Sequence, residues 1–160
     1  MNPVCHDWVR DTMGRQRWGA KLSVIEIGSR NINGGVRDLF ADDLYLGIDQ
    51  LAGDGVDVVA DAETWRMDRH ADVVLCLNVL EHSERPAELV AAAYEMLDEV
   101  GLLLLATTAD PWPPHSAIDG RELREGEYYR NYNESEVASW LGMFEDISIR
   151  LVGHQIFALA

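Results

Sequence analysis

Cysteines, basic side chains and long apolar runs are scarce in this sequence. Its 160 residues include two cysteines, Cys5 and Cys76, whose spacing resembles neither a disulfide framework nor a metal-ligand motif. We therefore expect two buried thiols in a reducing cytoplasm. The longest apolar run, residues 100–106, is far shorter than the roughly 20 residues that cross a bilayer, and the N-terminus has no apolar signal core. These absences predict a soluble, unexported protein with no membrane partner.

Positive charge is also in short supply. Lys and Arg number 13 against 28 Asp and Glu, which gives a formal net charge of -15. A nucleic-acid partner normally needs a Lys/Arg surface that releases counterions from phosphates, so this balance disfavours DNA and structured RNA. The length predicts a single domain over residues 1–160, and a 48% apolar composition without repeats is typical of a globular protein.

Short apolar runs alternate with helical stripes along the chain. Apolar residues at three-and-four spacing predict an N-terminal helix over residues 3–17, inside a segment 1–19 that ends at Gly19. A brief helix is expected through Val36, Leu39 and Phe40, and a longer one over residues 86–99, with Gly101 just past its end. Strands are predicted at residues 22–27, 45–49, 56–60, 72–77 and 101–107.

This alternation indicates an α/β fold. Near-continuous apolar strands between helices are typical of a parallel sheet covered on both faces, which is the open doubly wound architecture. The last two apolar runs, residues 147–151 and 156–159, are joined by a few residues around Gly153, too few for a parallel crossover. The final strand is therefore expected to be antiparallel.

The periodicity stops between Thr108 and Asn133, where three prolines and two glycines interrupt the chain. Loops of this length are usually functional, so we expect residues 108–133 to be a substrate-side excursion that covers the site together with the first helix. Asn133 followed by Glu136 resembles a capping box and predicts a last helix that ends at Gly142.

Carboxylates follow several of the predicted strands. In an open α/β sheet the ligand binds beyond the carboxyl ends of the strands, and Glu26, Asp49 and Asp61 all lie at such ends. Carboxylates repel phosphates but accept hydrogen bonds from hydroxyl and amino groups. The pattern therefore favours a nucleoside without phosphates as the ligand.

Four segments, in this order, resemble the class I S-adenosylmethionine-dependent methyltransferases, including small bacterial and phage methyltransferase-domain proteins. They are VIEIGSRNINGG (24–35), YLGID (45–49), VVADAE (58–63) and DVVLCLNVLEH (72–82), and the resemblance covers roughly residues 20–160. It implies the strand order 3-2-1-4-5-7-6 with an antiparallel seventh strand, and S-adenosyl-L-methionine as cofactor. The implied reaction is methyl transfer to a small-molecule or side-chain acceptor, whose identity and reacting atom stay open.

The resemblance also implies where the parts of the cofactor lie. The Gly28 turn would lie under the methionine part, Asp49 would bind the ribose diol, and Asp61 with Ala62 would flank the adenine. Two vicinal hydroxyls match the two acceptor oxygens of a carboxylate. Asp49 and Asp61 could instead be cap or turn residues, which is a common role for Asp after a strand.

The remaining implied contacts lie at the first and fourth strands. Glu26 would orient loop amides and the amino group of the cofactor, and Leu77 and Asn78 would lie near the sulfonium. The full set of predicted cofactor-binding residues is Glu26, Gly28, Ser29, Asn33, Asp49, Gln50, Asp61, Ala62, Leu77 and Asn78.

The glycine loop departs from the usual G-x-G-x-G pattern, because Arg30 and Ile32 occupy the second and third glycine positions. A nicotinamide-dependent dehydrogenase would need glycines at positions 30 and 33, where Arg30 and Asn33 stand, so that alternative is weaker. The small size and the altered loop keep a further alternative open, namely a non-catalytic S-adenosylmethionine-binding partner module.

Methyl transfer from a sulfonium needs in-line alignment of the acceptor, and a base only if the acceptor is protonated. We expect His115 to be the general base, with Asp119 as its orienting carboxylate. His82 is a second candidate, although it could instead cap the helix that begins near Pro86. No clustered Asp/His set is apparent, so no metal site is expected. Three tyrosines of the excursion could wall an acceptor pocket or pin the loop: Tyr128, Tyr129 and Tyr132.

Overall fold

In the computed structural model, which describes residues 3–16, 18, 21–67 and 70–160, seven strands form one mixed sheet. The strands are β1 (Ser23–Ile27), β2 (Leu44–Asp49), β3 (Val58–Val59), β4 (Ala71–Leu77), β5 (Leu97–Thr108), β6 (Ser148–Val152) and β7 (Gln155–Leu159). Their order across the sheet is β3-β2-β1-β4-β5-β7-β6, and β7 runs antiparallel to both of its neighbours. The predicted fold class and strand order are confirmed.

Helices cover both faces of this sheet. They are α1 (Pro3–Met13), α2 (Pro86–Met96) and α3 (Glu134–Trp140), with two short 3-10 helices at Arg37–Phe40 and Leu80–His82. Side chains of β4 alternate between the two cores: Val73 and Leu75 pack toward α1, and Val74 packs toward α2 and α3. The side chains of the two cysteines, Cys5 and Cys76, are buried in these opposite cores, so the thiols lie on opposite faces of the sheet.

The strand order reverses at β1. Ile25 of β1 lies opposite Leu46 of β2 on one side and Val74 of β4 on the other, and both pairings are parallel. The chain turns toward β2 after β1 and later returns to β4, so the connections diverge at the carboxyl ends of β1 and β4. This divergence opens the crevice in which open α/β sheets bind their ligands.

The boundary between α2 and β5 differs from the prediction. A helix to residue 99 is wrong, because α2 ends at Met96 and Leu97 takes an extended conformation (φ -85°, ψ 146°). Leu97 pairs with Ala71 at the start of β4, and a register irregularity follows before Leu102 pairs with Val73. Gly101 is therefore a residue of β5 and not a helix cap. Pairing with Leu97 satisfies backbone groups at the start of β4 that a longer α2 would leave without a strand partner.

Two further elements are shorter than predicted. The helix α1 ends at Met13, and the Gly14 N–H closes the following turn on the Arg10 carbonyl at 2.9 Å, while residues 17, 19 and 20 lie outside the described residues. The edge strand β3 begins at Val58 and not at residue 56, because the Asp57 carboxylate accepts the Gly47 N–H at 2.7 Å, where a backbone carbonyl would act in a regular ladder.

The C-terminal elements agree with the prediction. Asn133 caps α3 by accepting the Glu136 N–H at 3.0 Å, and the Glu136 carboxylate accepts the Asn133 N–H at 3.0 Å, which completes the predicted capping box. Strands β6 and β7 form a hairpin that turns at Gly153. Of the helices in the described ranges, none is long and apolar enough to cross a membrane.

Candidate cofactor cleft

Two adjoining cavities lie in the crevice at the carboxyl ends of the central strands. The larger, of about 340 Å³, lies beyond β2 and β3, and the smaller, of about 140 Å³, lies beyond β1 and β4. They share a wall made of Gly28, Arg30, Asp49, Val79, His82 and Ala117. We call the two together the cleft. The described residues of α1 are absent from its lining, since α1 packs on the face of the sheet, so the expectation that the first helix helps to cover the site is wrong for these residues.

All ten residues predicted from the resemblance to bind cofactor line this cleft. Those at the larger cavity are Gly28, Asp49, Gln50, Asp61 and Ala62. Those at the smaller cavity are Glu26, Gly28, Ser29, Asn33, Asp49, Leu77 and Asn78. Gly28 and Asp49 face both cavities, which places them at the junction. His115 also lines the smaller cavity, whereas Asp119 lines neither.

Gly28 makes the turn out of β1 possible. Its φ of 73° lies in the left-handed region, and a Cβ at this position would lie 2.3 Å from Cγ2 of Val79. Its N–H and that of Ser29 both donate to the Ile48 carbonyl, at 2.8 and 3.0 Å. The chain therefore turns sharply beside β2, and the space next to the turn remains open as part of the cleft.

Asp49 holds the loops around it as well as facing the cleft. Its Oδ1 accepts the Leu51 N–H at 2.9 Å and its Oδ2 accepts the Arg30 N–H at 3.2 Å, so the alternative interpretation of Asp49 as a turn residue also describes it. Asp61 likewise accepts the Glu63 N–H at 3.0 Å. Each carboxylate retains acceptor capacity, because an ionised carboxylate has about four lone-pair sites.

Arg30 explains the altered glycine loop. Its Nη2 donates to the carbonyl oxygens of Ala117 and Ile118, at 3.0 and 2.9 Å, and its Nε lies 3.9 Å from Asp49 Oδ1. Only 17% of the side chain is exposed. An arginine at the second glycine position therefore ties the glycine loop to residues 108–133 across the shared wall. The substitution is visible in the sequence, but the long-range contact is not.

Glu26 is a buried carboxylate at the floor of the smaller cavity. It is 6% exposed, and the Tyr45 O–H donates to its Oε2 at 2.7 Å. Burial raises the pKa of Glu26 to about 7, against the opposing effect of the Tyr45 hydrogen bond. A positively charged group in the smaller cavity would favour the ionised form of this side chain.

The segment after β4 holds a second buried carboxylate. Asn78 adopts φ 57°, and its N–H donates to the Ala106 carbonyl at 2.7 Å, which turns the chain into the 3-10 helix Leu80–His82. Glu81 in this helix is fully buried, and Thr107 Oγ1 donates to its Oε2 at 3.0 Å. Burial raises the pKa of Glu81 to about 7. No sequence signal pointed to Glu81, because the residues next to it in the chain do not distinguish a buried glutamate from a surface one.

Three rings pack edge-to-face or tilted against one another beside Glu81, at the edge of the smaller cavity. The ring centroids of His82 and His115 are 4.9 Å apart, and Tyr129 lies 5.4 Å from His82 and 4.9 Å from His115. Burial and the neighbouring His115 lower the pKa of His82 to about 4. The cap of α2 is Arg85, without a side-chain hydrogen bond, so the interpretation of His82 as the cap of that helix is wrong.

Asp119 does not reach His115. Its carboxylate accepts the Arg121 N–H at 3.0 Å and pairs with the Arg124 guanidinium, and His115 Nδ1 lies 3.2 Å from the Pro113 carbonyl oxygen instead. The predicted role of Asp119 as orienting carboxylate is therefore corrected: the backbone of Pro113 orients the ring. Through its contacts with Arg121 and Arg124, Asp119 stabilises the turn in which it lies.

The tyrosines of residues 108–133 hold this segment on the sheet. Tyr129 shares a hydrogen bond of 2.9 Å with Thr108 Oγ1, and Tyr132 is buried against Trp140, with ring centroids 4.9 Å apart. Neither of these tyrosines lines the cleft, and the same is true of Tyr128. Tyr129 and Tyr132 therefore pin the segment and do not wall an acceptor pocket.

The fold and the cleft are those of a known family. A sequence profile described as a methyltransferase domain matches residues 7–149. The chain is a methyltransferase domain. This confirms the resemblance to the class I S-adenosylmethionine-dependent methyltransferases, and with it the predicted enzyme class and cofactor. No curated protein matches the sequence.

Solved methyltransferase structures superpose on nearly the whole domain. The 1,6-didemethyltoxoflavin N1-methyltransferase of Burkholderia thailandensis has 12% identity and a TM-score of 0.67, over 99% of this chain and 76% of that one. A sugar N-methyltransferase of Streptoalloteichus has 14% identity and a TM-score of 0.70, over 99% and 87%. The N-methyltransferase NodS of Bradyrhizobium japonicum has 14% identity and a TM-score of 0.65, over 99% and 87%. At these identities the likeness is one of fold.

Proposed function

We propose that this methyltransferase domain binds S-adenosylmethionine along the cleft, with the adenosine in the larger cavity and the methionine in the smaller. The observation that carries the proposal is the position of Asp49, which lines both cavities. A ribose lies between the base and the amino-acid part of this cofactor, so its diol reaches the junction. A carboxylate there accepts both hydroxyls.

The other lining residues support the same orientation. Asp61 and Ala62 line only the larger cavity, where an exocyclic amine of adenine would donate to the Asp61 carboxylate. Glu26 lines only the smaller cavity, where the ammonium of the methionine part would compensate its buried charge. The NAD alternative would bring a pyrophosphate to the junction, against Asp49.

The acceptor is proposed to be a small molecule. The net charge of -15 disfavours polyanions, and His82 and His115 line the smaller cavity. Two proteins of the same fold are described by small substrates, a didemethyltoxoflavin for one and a sugar for the other. His115 is the group proposed to activate a protonated acceptor, because it lines the cavity and its ring is oriented by Pro113.

Thermal unfolding with ligand tests the cofactor. S-adenosylhomocysteine at one hundred times its dissociation constant should stabilise the fold by about 2.7 kcal/mol, and NAD at the same concentration should not. Calorimetric titration of both ligands gives the affinities directly. Stabilisation by NAD without any effect of S-adenosylhomocysteine would refute the proposal.

Transfer of a labelled methyl group separates the enzyme from a binding module. The domain is incubated with methyl-labelled cofactor and fractionated small molecules from cell extracts, and labelled products are isolated. An Asp49→Asn variant run in parallel, with the cofactor below its dissociation constant, should lower the signal that depends on this domain and so controls for contaminating activities. Tight binding of cofactor with no labelled product in any fraction would favour the non-catalytic module.

A further inference from the structure

We propose that Glu81, His82 and His115 bind one divalent cation beside the smaller cavity, and that this cation holds the hydroxyl group of the methyl acceptor. One ligand atom from each residue lies within 4.8 Å of the other two. Small rearrangements bring such a set to the roughly 2.0–2.2 Å metal distances of imidazole and carboxylate ligands. The reaction part of the proposal rests on the proposed function, whereas the binding part does not.

The buried carboxylate is the first observation in favour of a cation. Glu81 is fully buried, its Oε2 accepts a hydrogen bond from Thr107, and its Oε1 has no partner with hydrogen-bond geometry in the described residues. Leaving a buried acceptor unsatisfied is costly, and such groups in native structures usually have an ion, water or functional partner. A cation bound to Oε1 would satisfy it.

The two imidazoles supply the second observation. The buried Nδ1 of His82 also has no hydrogen-bond partner within the described ranges. His115 Nδ1 lies 3.2 Å from the Pro113 carbonyl oxygen, and a proton held there leaves Nε2 as the lone-pair nitrogen. A metal-binding histidine typically donates its other N–H to a backbone carbonyl in this way, which fixes the tautomer and the ring orientation.

The surroundings hold these ligands in place. Tyr129 packs against both imidazole rings and is itself fixed by Thr108, next to the Thr107 that positions Glu81. The Arg130 N–H donates to the Glu81 carbonyl at 2.8 Å, which anchors the far end of residues 108–133 to the ligand segment. These contacts hold three potential metal ligands in fixed positions, with ligand atoms within 4.8 Å of one another.

Two imidazoles and one carboxylate select for a class of ion. This donor set suits first-row divalent cations such as Zn²⁺, Co²⁺, Fe²⁺ or Mn²⁺, and leaves open positions for water or substrate. Ca²⁺ and Mg²⁺ prefer oxygen ligands and are expected to bind more weakly. The expectation of no metal site arose because His115 lies far along the chain from Glu81 and His82.

The position of the site would allow the cation to bind and activate the methyl acceptor. His82 and His115 line the cavity assigned to the methionine part, so an acceptor oxygen bound to the cation would lie near the transferred methyl group. His115 Nε2 cannot bind the cation and act as a general base at once, so in this arrangement the cation takes over that role. Coordination lowers the pKa of a bound hydroxyl, and its proton leaves to solvent. The oxygen then forms a bond to the methyl carbon while the sulfur–methyl bond breaks and its electron pair returns to sulfur. The products are a methyl ether, the neutral thioether S-adenosylhomocysteine and a proton.

Titration with Co²⁺ tests the binding part directly. The domain is first stripped with a chelator and dialysed, and Co²⁺ is then added while the visible ligand-field absorption and the unfolding temperature are recorded. We expect one Co²⁺ per chain and competition by Zn²⁺. His115→Ala and Glu81→Gln should each weaken Co²⁺ binding at least tenfold, because each removes a ligand. His154→Ala, in the β6–β7 turn, is the matched control and should bind as the wild type does.

His115 is half-buried in a loop segment, so His115→Ala keeps the test valid even if Glu81→Gln does not fold. Equal Co²⁺ affinity of the wild type and His115→Ala would overturn the proposal, since it would indicate binding by surface carboxylates. Titration of S-adenosylhomocysteine into chelator-treated protein separates the two hypotheses. Cofactor binding with no specific Co²⁺ site refutes the cation alone, and a specific Co²⁺ site without cofactor binding refutes the proposed function alone.

Discussion

Arg30 Nη2 donates a hydrogen bond to the Ala117 carbonyl oxygen at 3.0 Å, across the wall that the two cavities share. The two residues are 87 positions apart in the chain. The glycine loop and residues 108–133 thus close over the junction of the cleft as one unit. A hydrogen bond from a charged, largely buried donor is worth more than an exposed ion pair, so this contact contributes to holding the segment at the cleft.

Removing this contact should loosen the segment without unfolding the domain. Arg30→Ala is expected to raise the rate of proteolytic cleavage within residues 108–133 and to weaken S-adenosylhomocysteine binding about tenfold or more, the scale of one or two charge-assisted hydrogen bonds. Limited proteolysis and calorimetry measure the two effects. Arg121→Ala, exposed on the same segment, serves as control. Wild-type protease resistance in Arg30→Ala would show that the segment is held elsewhere.

Position 28 should tolerate no side chain unless Val79 is also replaced by a smaller residue. Gly28→Ala is expected to destabilise the fold by several kcal/mol, because a Cβ overlaps Val79 and the residue has a positive φ. The positive φ alone costs about 1–2 kcal/mol. Gly126→Ala isolates that part, since Gly126 has φ 85° and a Cβ added there would have nothing within 4 Å.

Chemical denaturation of the two single variants and of Gly28→Ala with Val79→Ala provides the comparison. The double variant should recover the steric part and unfold close to Gly126→Ala. If Gly28→Ala costs no more than Gly126→Ala, the contact with Val79 does not constrain the turn.

Asp49→Asn distinguishes ligand binding from turn formation. The carboxamide oxygen can still accept one of the two backbone N–H groups, so the turn survives, but the charge and an acceptor are lost. We expect S-adenosylhomocysteine to bind about thirtyfold more weakly, equivalent to roughly 2 kcal/mol, with little change in unfolding temperature. Asp42→Asn, an exposed carboxylate away from the cleft lining, should bind normally. Unaltered affinity in Asp49→Asn would assign this side chain to the turn alone.

Glu26 should make the stability of the ligand-free domain depend on pH. Its pKa in the folded state, about 7, lies above the ordinary value of 4.5, so folding favours the protonated carboxyl. That stabilisation is complete below the unfolded-state pKa and is lost as the pH rises through about 7. Between about pH 5 and pH 8 the expected loss is on the order of 2 kcal/mol.

Glu26→Gln removes this titration and isolates it from Glu81, whose raised pKa acts in the same direction. The variant should lose less stability than the wild type over the same pH range in denaturant titrations. Cofactor affinity should show the opposite trend, because an ammonium in the smaller cavity favours ionised Glu26. If the wild type and the variant have parallel pH profiles, Glu26 is not linked to folding.

The strands and the carboxylates at their ends could be predicted from the residues because each depends on local features. The strand order and the other residues of the cleft were implied by the resemblance to a known family. A buried strand is recorded in its own apolar run, and parallel strands bring the residues after them to one edge of the sheet. Gly28, Asp49 and Asp61 could be located in this way without a structure. The capping box of Asn133 and Glu136 is equally local.

What the sequence did not predict depends on contacts between distant segments. The end of α2 was misplaced because the apolar stripe through Leu97 suits a helix and a strand alike, and pairing with Ala71 decides between them. The path of residues 108–133 determines which carbonyl groups Arg30 contacts. It also brings His115 against His82 and Tyr129, and it keeps Asp119 away from His115. That path has no periodicity from which it could be predicted.

The short crossover between β1 and β2 has a consequence for how the domain opens. A single 3-10 turn, Arg37–Phe40, covers this connection, and Leu44 and Val59 at the outer strands are each 58% exposed. Amide protons of β2 and β3 should therefore exchange with solvent by a sub-global opening that leaves β4 and β5 intact. The adenosine side of the cleft is formed by residues at the ends of these two strands. Bound ligand should therefore slow amide exchange in β2 and β3 far more than in the central strands. Binding of the nucleoside would in this way stabilise the part of the domain that forms its own site.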